Sequence, residues 1–149
     1  MLDFKNVKKI LVATDGSSPS MRAAEYGISI AKMLEAQILV VHAVDPIVLD
    51  QARSFFEEEE HKDLTRKLKE AGQHYVDYVL DLAEKEQVGA DSLIVEGNPF
   101  EQIVHTAEES NVDLIVMGTH GGRGTERLLI GSVAERVIEY SRCPVLVVK

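Results

Sequence analysis

Short apolar runs alternate with amphipathic segments along the whole chain. The amphipathic segments place apolar residues three and four positions apart, as the buried face of a helix requires. The apolar runs are rich in β-branched residues and are typical of strands buried on both faces of a parallel sheet. They lie at residues 9–14, 38–44, 91–96, 113–117 and 145–148. This alternation predicts an α/β fold, an open doubly wound parallel sheet of five strands with helices on both faces.

Capping patterns predict where the helices begin. Ser18 and Asn98 each precede a proline, which is typical of an N-cap followed by proline at the first helical position. Ser132, with Glu135 three residues later, predicts a capping box. The acidic run 57–60 suits the N-terminus of a long helix, where negative charge opposes the helix dipole. The predicted buried stripe of that helix is Leu64, Leu68, Ala71, Tyr75, Tyr78 or Val79, and Leu82.

Composition and charge narrow the class of protein. The 149 residues predict a single domain, 1–149, large enough to bury a core. The net charge of −9 argues against nucleic acid or an anionic membrane as partner. The single cysteine, Cys143, excludes an intramolecular disulfide, and no apolar run is long enough to span a bilayer. Because residues 1–9 also lack the apolar core of a signal peptide, we expect a cytoplasmic protein.

The most informative stretch begins with the apolar run 112–117, which stops at Gly118. A loop containing Gly121 follows, and a helix is predicted to begin at Gly131-Ser132. Glycine lets backbone N–H groups approach a ligand closely, and a helix N-terminus adds unpaired N–H donors with a partial positive charge. The stretch therefore predicts an anion pocket suited to the phosphate chain of a nucleotide.

Local charge agrees with an anionic ligand although the whole chain is acidic. The stretch 118–136 carries more arginine than glutamate, so the phosphate region is locally neutral to positive. These residues are Arg123, Arg127, Arg136, Glu126 and Glu135. A divalent cation is expected to neutralise the remaining phosphate charge.

The glycine spacing resembles the nucleotide-binding signature of the universal stress protein family, in its ATP-binding branch. The signature in this chain is Gly118-x2-Gly121-x9-Gly131-Ser132. Segments 10–17 and 143–148 resemble the same family, so the resemblance extends over essentially the whole chain. It implies the strand order 3-2-1-4-5, bound ATP with Mg²⁺ or Mn²⁺ held mainly by the phosphates, regulatory protein partners and a homodimer.

Several candidate site residues have a functional and a structural interpretation. Asp15 follows a buried strand and either binds ribose hydroxyls or a phosphate-bound metal, or caps the turn at 16–17. Ser132 either donates its hydroxyl to a phosphate or caps its helix. His120 either contacts phosphate or is an ordinary loop residue. Arg123 either reaches the phosphates or is a solvated surface residue.

The remaining candidates follow from strand ends and from the resemblance. Ala13 and Thr14 are expected to line the same wall as Asp15, and Val133 is expected to contribute its backbone N–H. Ala43 matches the family position whose backbone recognises adenine. The full predicted nucleotide-binding set is Ala13, Thr14, Asp15, Ala43, Met117, Gly118, His120, Gly121, Arg123, Gly131, Ser132 and Val133.

Three functions fit these residues. The protein is an ATP-binding regulatory module, a slow ATPase or phosphotransfer enzyme, or a nucleotide-free interaction protein of the same fold. The intact glycines disfavour the third. The second needs a positioned base, and neither Asp15 nor His120 has an evident orienting partner in the sequence, so no catalytic residue is predicted. The histidines show no zinc spacing, and no metal-binding residues are predicted.

The last strand predicts self-association. Residues 144–149 form an apolar, β-branched segment, and no further element follows in the sequence to cover it. Only Lys149 protects such an edge from pairing with another chain. We therefore expect a two-fold homodimer built around residues 144–149.

Overall fold

The computed structural model describes residues 3–46, 57–120 and 130–149. A 3-10 turn at Phe4–Asn6 precedes an alternating series of strands and helices. In chain order these are β1 (Lys9–Ala13), α1 (Ser18–Leu34), β2 (Gln37–Val44), α2 (Glu58–Lys85), β3 (Ala90–Glu96), α3 (Pro99–Glu109), β4 (Leu114–Gly118), α4 (Ser132–Tyr140) and β5 (Val145–Val148).

All strand pairs of the sheet are parallel, in the order β3-β2-β1-β4-β5. The predicted fold class and strand order are therefore confirmed. The central strand β1 pairs Leu11 with Leu39 of β2 on one side and with Ile115 of β4 on the other. Since β1 and β4 are neighbours, the described residues that follow them, 14–17 and 119–120, lie side by side at the carboxyl edge of the sheet, where ligands bind in such folds.

Helices cover both faces of the sheet. The buried side chains of α1 and α2 pack on one face, with Ile10 and Val12 of β1, and those of α3 and α4 pack on the other, with Leu11 and Ala13. Successive side chains of a strand point to opposite faces, so a strand buried on both sides must be continuously apolar. This arrangement explains the apolar runs in the sequence.

The buried face of α2 includes Val79, one of the two predicted alternatives, and otherwise differs from the predicted stripe. The structure buries Gly72, Val76, Val79 and Ala83. Leu64, Leu68, Ala71 and Tyr75 are only half-buried, and Tyr78 is 44% exposed. At 28 residues α2 is about 42 Å long, whereas the longest strand, of 8 residues, spans about 26 Å. No residue in its first half, 58–71, is buried, so the leucines there misled the assignment of the core face.

The helix starts also refine the predictions. The N-cap of α1 is Ser17, one residue before the predicted Ser18, and its side chain accepts a hydrogen bond from the Ser20 N–H. Asn98 is the N-cap of α3, as predicted. The acidic run occupies the N-cap and the first turn of α2, where Glu57 and Glu60 form a capping box. Within the ranges that the structure describes, no helix is long and apolar enough to cross a membrane.

Candidate functional site

The carboxyl edge of the sheet brings together the predicted site residues that the structure describes. Ala13 and Thr14 lie at the end of β1, Ala43 near the end of β2, and Met117 and Gly118 at the end of β4. The first turn of α4 begins beside them. Gly121 and Arg123 fall outside the described residues.

The start of α4 is joined directly to the end of β4. The Gly131 N–H donates a hydrogen bond to the Thr119 carbonyl, and the Glu135 N–H donates to the Gly131 carbonyl at 3.0 Å to open the helix. A Cβ on Gly131 would lie 2.9 Å from the Thr119 oxygen. Residue 131 must therefore be small for α4 to begin at this place.

Gly131, not Ser132, is the N-cap of α4, and among the residues that the structure describes no side chain caps this helix. The interpretation of Ser132 as a helix cap is therefore wrong. Ser132 is the first helical residue, and its side chain is exposed. Val133 is half-buried and packs against the core on the face of the sheet that α3 and α4 cover. The backbone N–H groups of a first helical turn have no acceptor within the helix, so this turn presents donors to an anion.

The loop between β1 and α1, residues 14–17, forms the adjacent wall. The Asp15 carboxylate accepts a hydrogen bond from the Ser17 N–H at 2.9 Å, which is the turn-capping role considered for it. Its side chain is nevertheless exposed at this edge of the sheet. The Ser17 hydroxyl donates to the His120 carbonyl at 3.4 Å. That bond joins the loop after β1 to the loop after β4.

The structure gives a packing reason for glycine at position 118, and the predicted approach of a ligand stays a prediction. A Cβ at this position would lie 2.8 Å from the Pro19 carbonyl carbon and 2.9 Å from the Ser20 nitrogen. The end of β4 thus packs against the backbone of the first turn of α1. This close approach between two elements explains the glycine without a ligand.

Two other candidates have mainly structural surroundings. Thr14 is 4% exposed, and its hydroxyl lies 3.4 Å from the hydroxyl of Ser20 in α1. Met117 is 5% exposed and packs in the core beneath α3 and α4. The side chains of both residues are therefore buried in packing contacts.

His120 lies two residues after β4 and contacts the loop 14–17. Its ring Nδ1 is 2.9 Å from the Thr119 hydroxyl, and its carbonyl accepts the bond from Ser17 described above. Sequence reasoning missed both Ser17 and Thr119, since their roles depend on contacts between segments far apart in the chain. The N-cap pattern around Ser17 was the available signal for the first of them.

Known proteins resemble this chain over nearly its full length. The model of the universal stress protein family matches residues 6–149. Universal stress protein MJ0531 of Methanocaldococcus jannaschii is 44% identical over 144 residues, which cover 95% of this chain and 82% of that protein.

Solved structures share the fold. The structure of hypothetical protein MJ0577, from the same organism, has a TM-score of 0.84 and 33% identity and covers 96% of each chain. A universal stress protein solved in complex with cAMP has a TM-score of 0.64 and 26% identity, over 95% of this chain and 96% of its own. The parallel sheet and these matches establish that the chain belongs to the universal stress protein family.

Proposed function

We propose that the protein is an ATP-binding regulatory module, acting in the cytoplasm, whose nucleotide state modulates protein partners or its own oligomer contacts. The observation that carries the proposal is that the first turn of α4 and the loop 14–17 both lie against the residues that follow β4. The Gly131 N–H donates to the Thr119 carbonyl, and the Ser17 hydroxyl donates to the neighbouring His120 carbonyl. The family member bound to cAMP supports an adenine nucleotide as the ligand.

The residues present suit such a ligand. The first turn of α4 offers the backbone N–H groups and the exposed hydroxyl of Ser132, together with the N–H of Val133, to phosphate oxygens. Asp15 binds either ribose hydroxyls or the Mg²⁺ or Mn²⁺ ion that the phosphates mainly hold. The backbone of Ala43 recognises the adenine. The other proposed binding residues are Ala13, Thr14, Met117, Gly118, His120, Gly121, Arg123 and Gly131.

Mg-ATP is expected to raise the melting temperature of the protein in a concentration-dependent way, because it binds the folded state alone. The linkage gain is about 2.7 kcal/mol when free ligand reaches one hundred times its dissociation constant. Ser132→Ala is expected to leave the melting temperature of the unliganded protein unchanged, because no cap is lost, and to reduce the rise with Mg-ATP. Differential scanning fluorimetry with an ATP titration measures both.

Ser110→Ala is the matched control. Ser110 follows α3 and precedes β4, so it lies at the amino ends of the strands, away from the proposed site. This variant should respond to Mg-ATP as the wild type does. A wild-type melting temperature that stays constant up to millimolar Mg-ATP would contradict the proposed function.

We also propose a homodimer formed through residues 144–149. Strand β5 is an edge of the sheet, and the Arg22 side chain of α1 donates to the Lys149 carbonyl at 2.6 Å. Tyr26 and Met33 follow Arg22 on the same side of α1 and are 55% and 74% exposed. Ile138, on the helix that covers the other face of the sheet, is 46% exposed. Exposed apolar side chains thus lie on α1 and on α4, the helices on either side of the edge strand β5. This arrangement favours pairing of β5 with a second copy of the chain.

Leu146→Lys is expected to convert this dimer into a monomer, because it places a charge in the proposed interface. Light scattering should give twice the 16.5 kDa chain mass for the wild type and the single mass for the variant. Leu93→Lys, at a 43% exposed position on the opposite edge strand β3, is the matched control and should remain dimeric. A monomeric wild type at tens of micromolar, or a dimer that survives Leu146→Lys and truncation after Cys143, would refute the proposal.

A further inference from the structure

The ring of Tyr75, in α2, lies directly against Gly16 in the loop 14–17. A Cβ on Gly16 would lie 2.6 Å from the ring atoms Cδ1 and Cζ, closer than real Cβ contacts allow. The φ angle of Gly16 is +79°, in the region that residues with side chains rarely adopt. The aromatic ring therefore occupies the space of the missing side chain and supports the loop from beneath.

His42, in β2, supports the Tyr75 ring in turn. The two rings meet edge to face, with centroids 5.4 Å apart and planes at 76°. On its other side the imidazole fits against Gly72, where a Cβ would lie 3.0 Å from Nε2 and nearer still to Cδ2. The His42 ring is thus held between its own strand and α2, and it restricts withdrawal of Tyr75 from Gly16.

His42 also holds the other end of the same loop. Its Nδ1 lies 2.8 Å from the Thr14 carbonyl, and since a carbonyl only accepts hydrogen bonds, Nδ1 must be the donor. The loop is therefore fixed on both sides of Asp15, at the Thr14 carbonyl by His42 and at Gly16 by Tyr75. Neither ring has to touch a ligand to determine where the Asp15 carboxylate lies.

We infer that Tyr75 and His42 are positioning residues, which hold the loop 14–17 in the conformation that binds nucleotide. This inference rests on the proposed function. Glycine populates positive and negative φ about equally, so a loop without the Tyr75 support samples more conformations and loses more entropy when the ligand binds. Nucleotide affinity thereby depends on Tyr75, although no residue of α2 belongs to the predicted nucleotide-binding set.

The test is isothermal titration of Mg-ATP into matched tyrosine variants. Tyr75→Ala should weaken binding by about tenfold, on the order expected when a loop must be ordered on binding. Tyr75→Phe keeps the ring and should restore the wild-type affinity. Tyr78→Ala removes an exposed tyrosine one turn further along the same helix and should bind as the wild type does.

His42→Phe provides a second, independent variant. It keeps an aromatic ring beside Tyr75 and removes the hydrogen bond to the Thr14 carbonyl, so a loss of about threefold in affinity is expected. Asp15→Asn should weaken binding in the wild type and have little further effect in Tyr75→Ala, because the carboxylate is no longer held in place. That non-additivity is a signature that general destabilisation does not produce.

The outcomes separate the two proposals. A wild type that does not bind Mg-ATP would overturn the proposed function, and this inference with it. A wild type that binds, with Tyr75→Ala and His42→Phe equal to Tyr78→Ala in affinity, would overturn the inference alone. Additive effects of Asp15→Asn and Tyr75→Ala would also overturn it, since the two residues would then act separately.

Discussion

Replacing Gly118 by alanine is expected to lower the free energy of unfolding by about 1–3 kcal/mol, the typical cost of overpacking. The new Cβ would lie 2.8 Å from the Pro19 carbonyl carbon and 2.9 Å from the Ser20 nitrogen. These backbone atoms of the first turn of α1 cannot yield without shifting the helix. The measurement is urea denaturation followed by circular dichroism.

Gly89→Ala is the matched control, because a Cβ there would meet nothing nearer than Gln37 Cγ at 3.8 Å. Its effect should stay within about 0.5 kcal/mol. The comparison also decides why residue 118 is glycine. If Gly118→Ala were as stable as Gly89→Ala and lost only nucleotide binding, close approach of a ligand would be the reason, and the packing explanation would be wrong.

Much of the fold was predictable because burial on both faces of a sheet leaves a direct trace in the sequence. Five apolar runs marked the strands, and the prolines after Ser18 and Asn98 marked two helix starts to within a residue. Strand order required the family resemblance, since periodicity carries no information about which strands are neighbours. The face of α2 was misassigned because only part of this long helix reaches the sheet, while its leucines continue beyond.

The site was predictable where local sequence chemistry determines it and unpredictable where tertiary contacts do. The pattern around Asp15 correctly included capping of the turn, since the acceptor and its Ser17 donor are two residues apart. The capping pattern at Ser132 was misleading, because the bond from Gly131 to Thr119 makes the chain enter α4 one residue earlier. No local pattern relates Tyr75 to Gly16, which meet only once the fold has formed.

Gly131→Val is expected to abolish Mg-ATP binding, with a loss of affinity of at least about a hundredfold, or roughly 2.8 kcal/mol. Its Cβ would lie 2.9 Å from the Thr119 carbonyl oxygen and 3.4 Å from the His120 Cα. The first turn of α4 must therefore move away from β4, and its N–H donors move with it. The core contacts of Ala134 and Val137 lie further along the helix, so the variant should remain folded.

Titration calorimetry with Mg-ATP measures this loss, and circular dichroism verifies the fold. Gly89→Val is the control. It adds the same side chain just before β3, at the amino ends of the strands, where a Cβ has space. Gly121→Val is also expected to abolish binding, as the glycine spacing of the sequence predicts. A folded Gly131→Val protein with wild-type affinity would show that the nucleotide binds elsewhere. Its phosphates could not then be bound by the N–H groups of the first turn of α4, which the valine displaces.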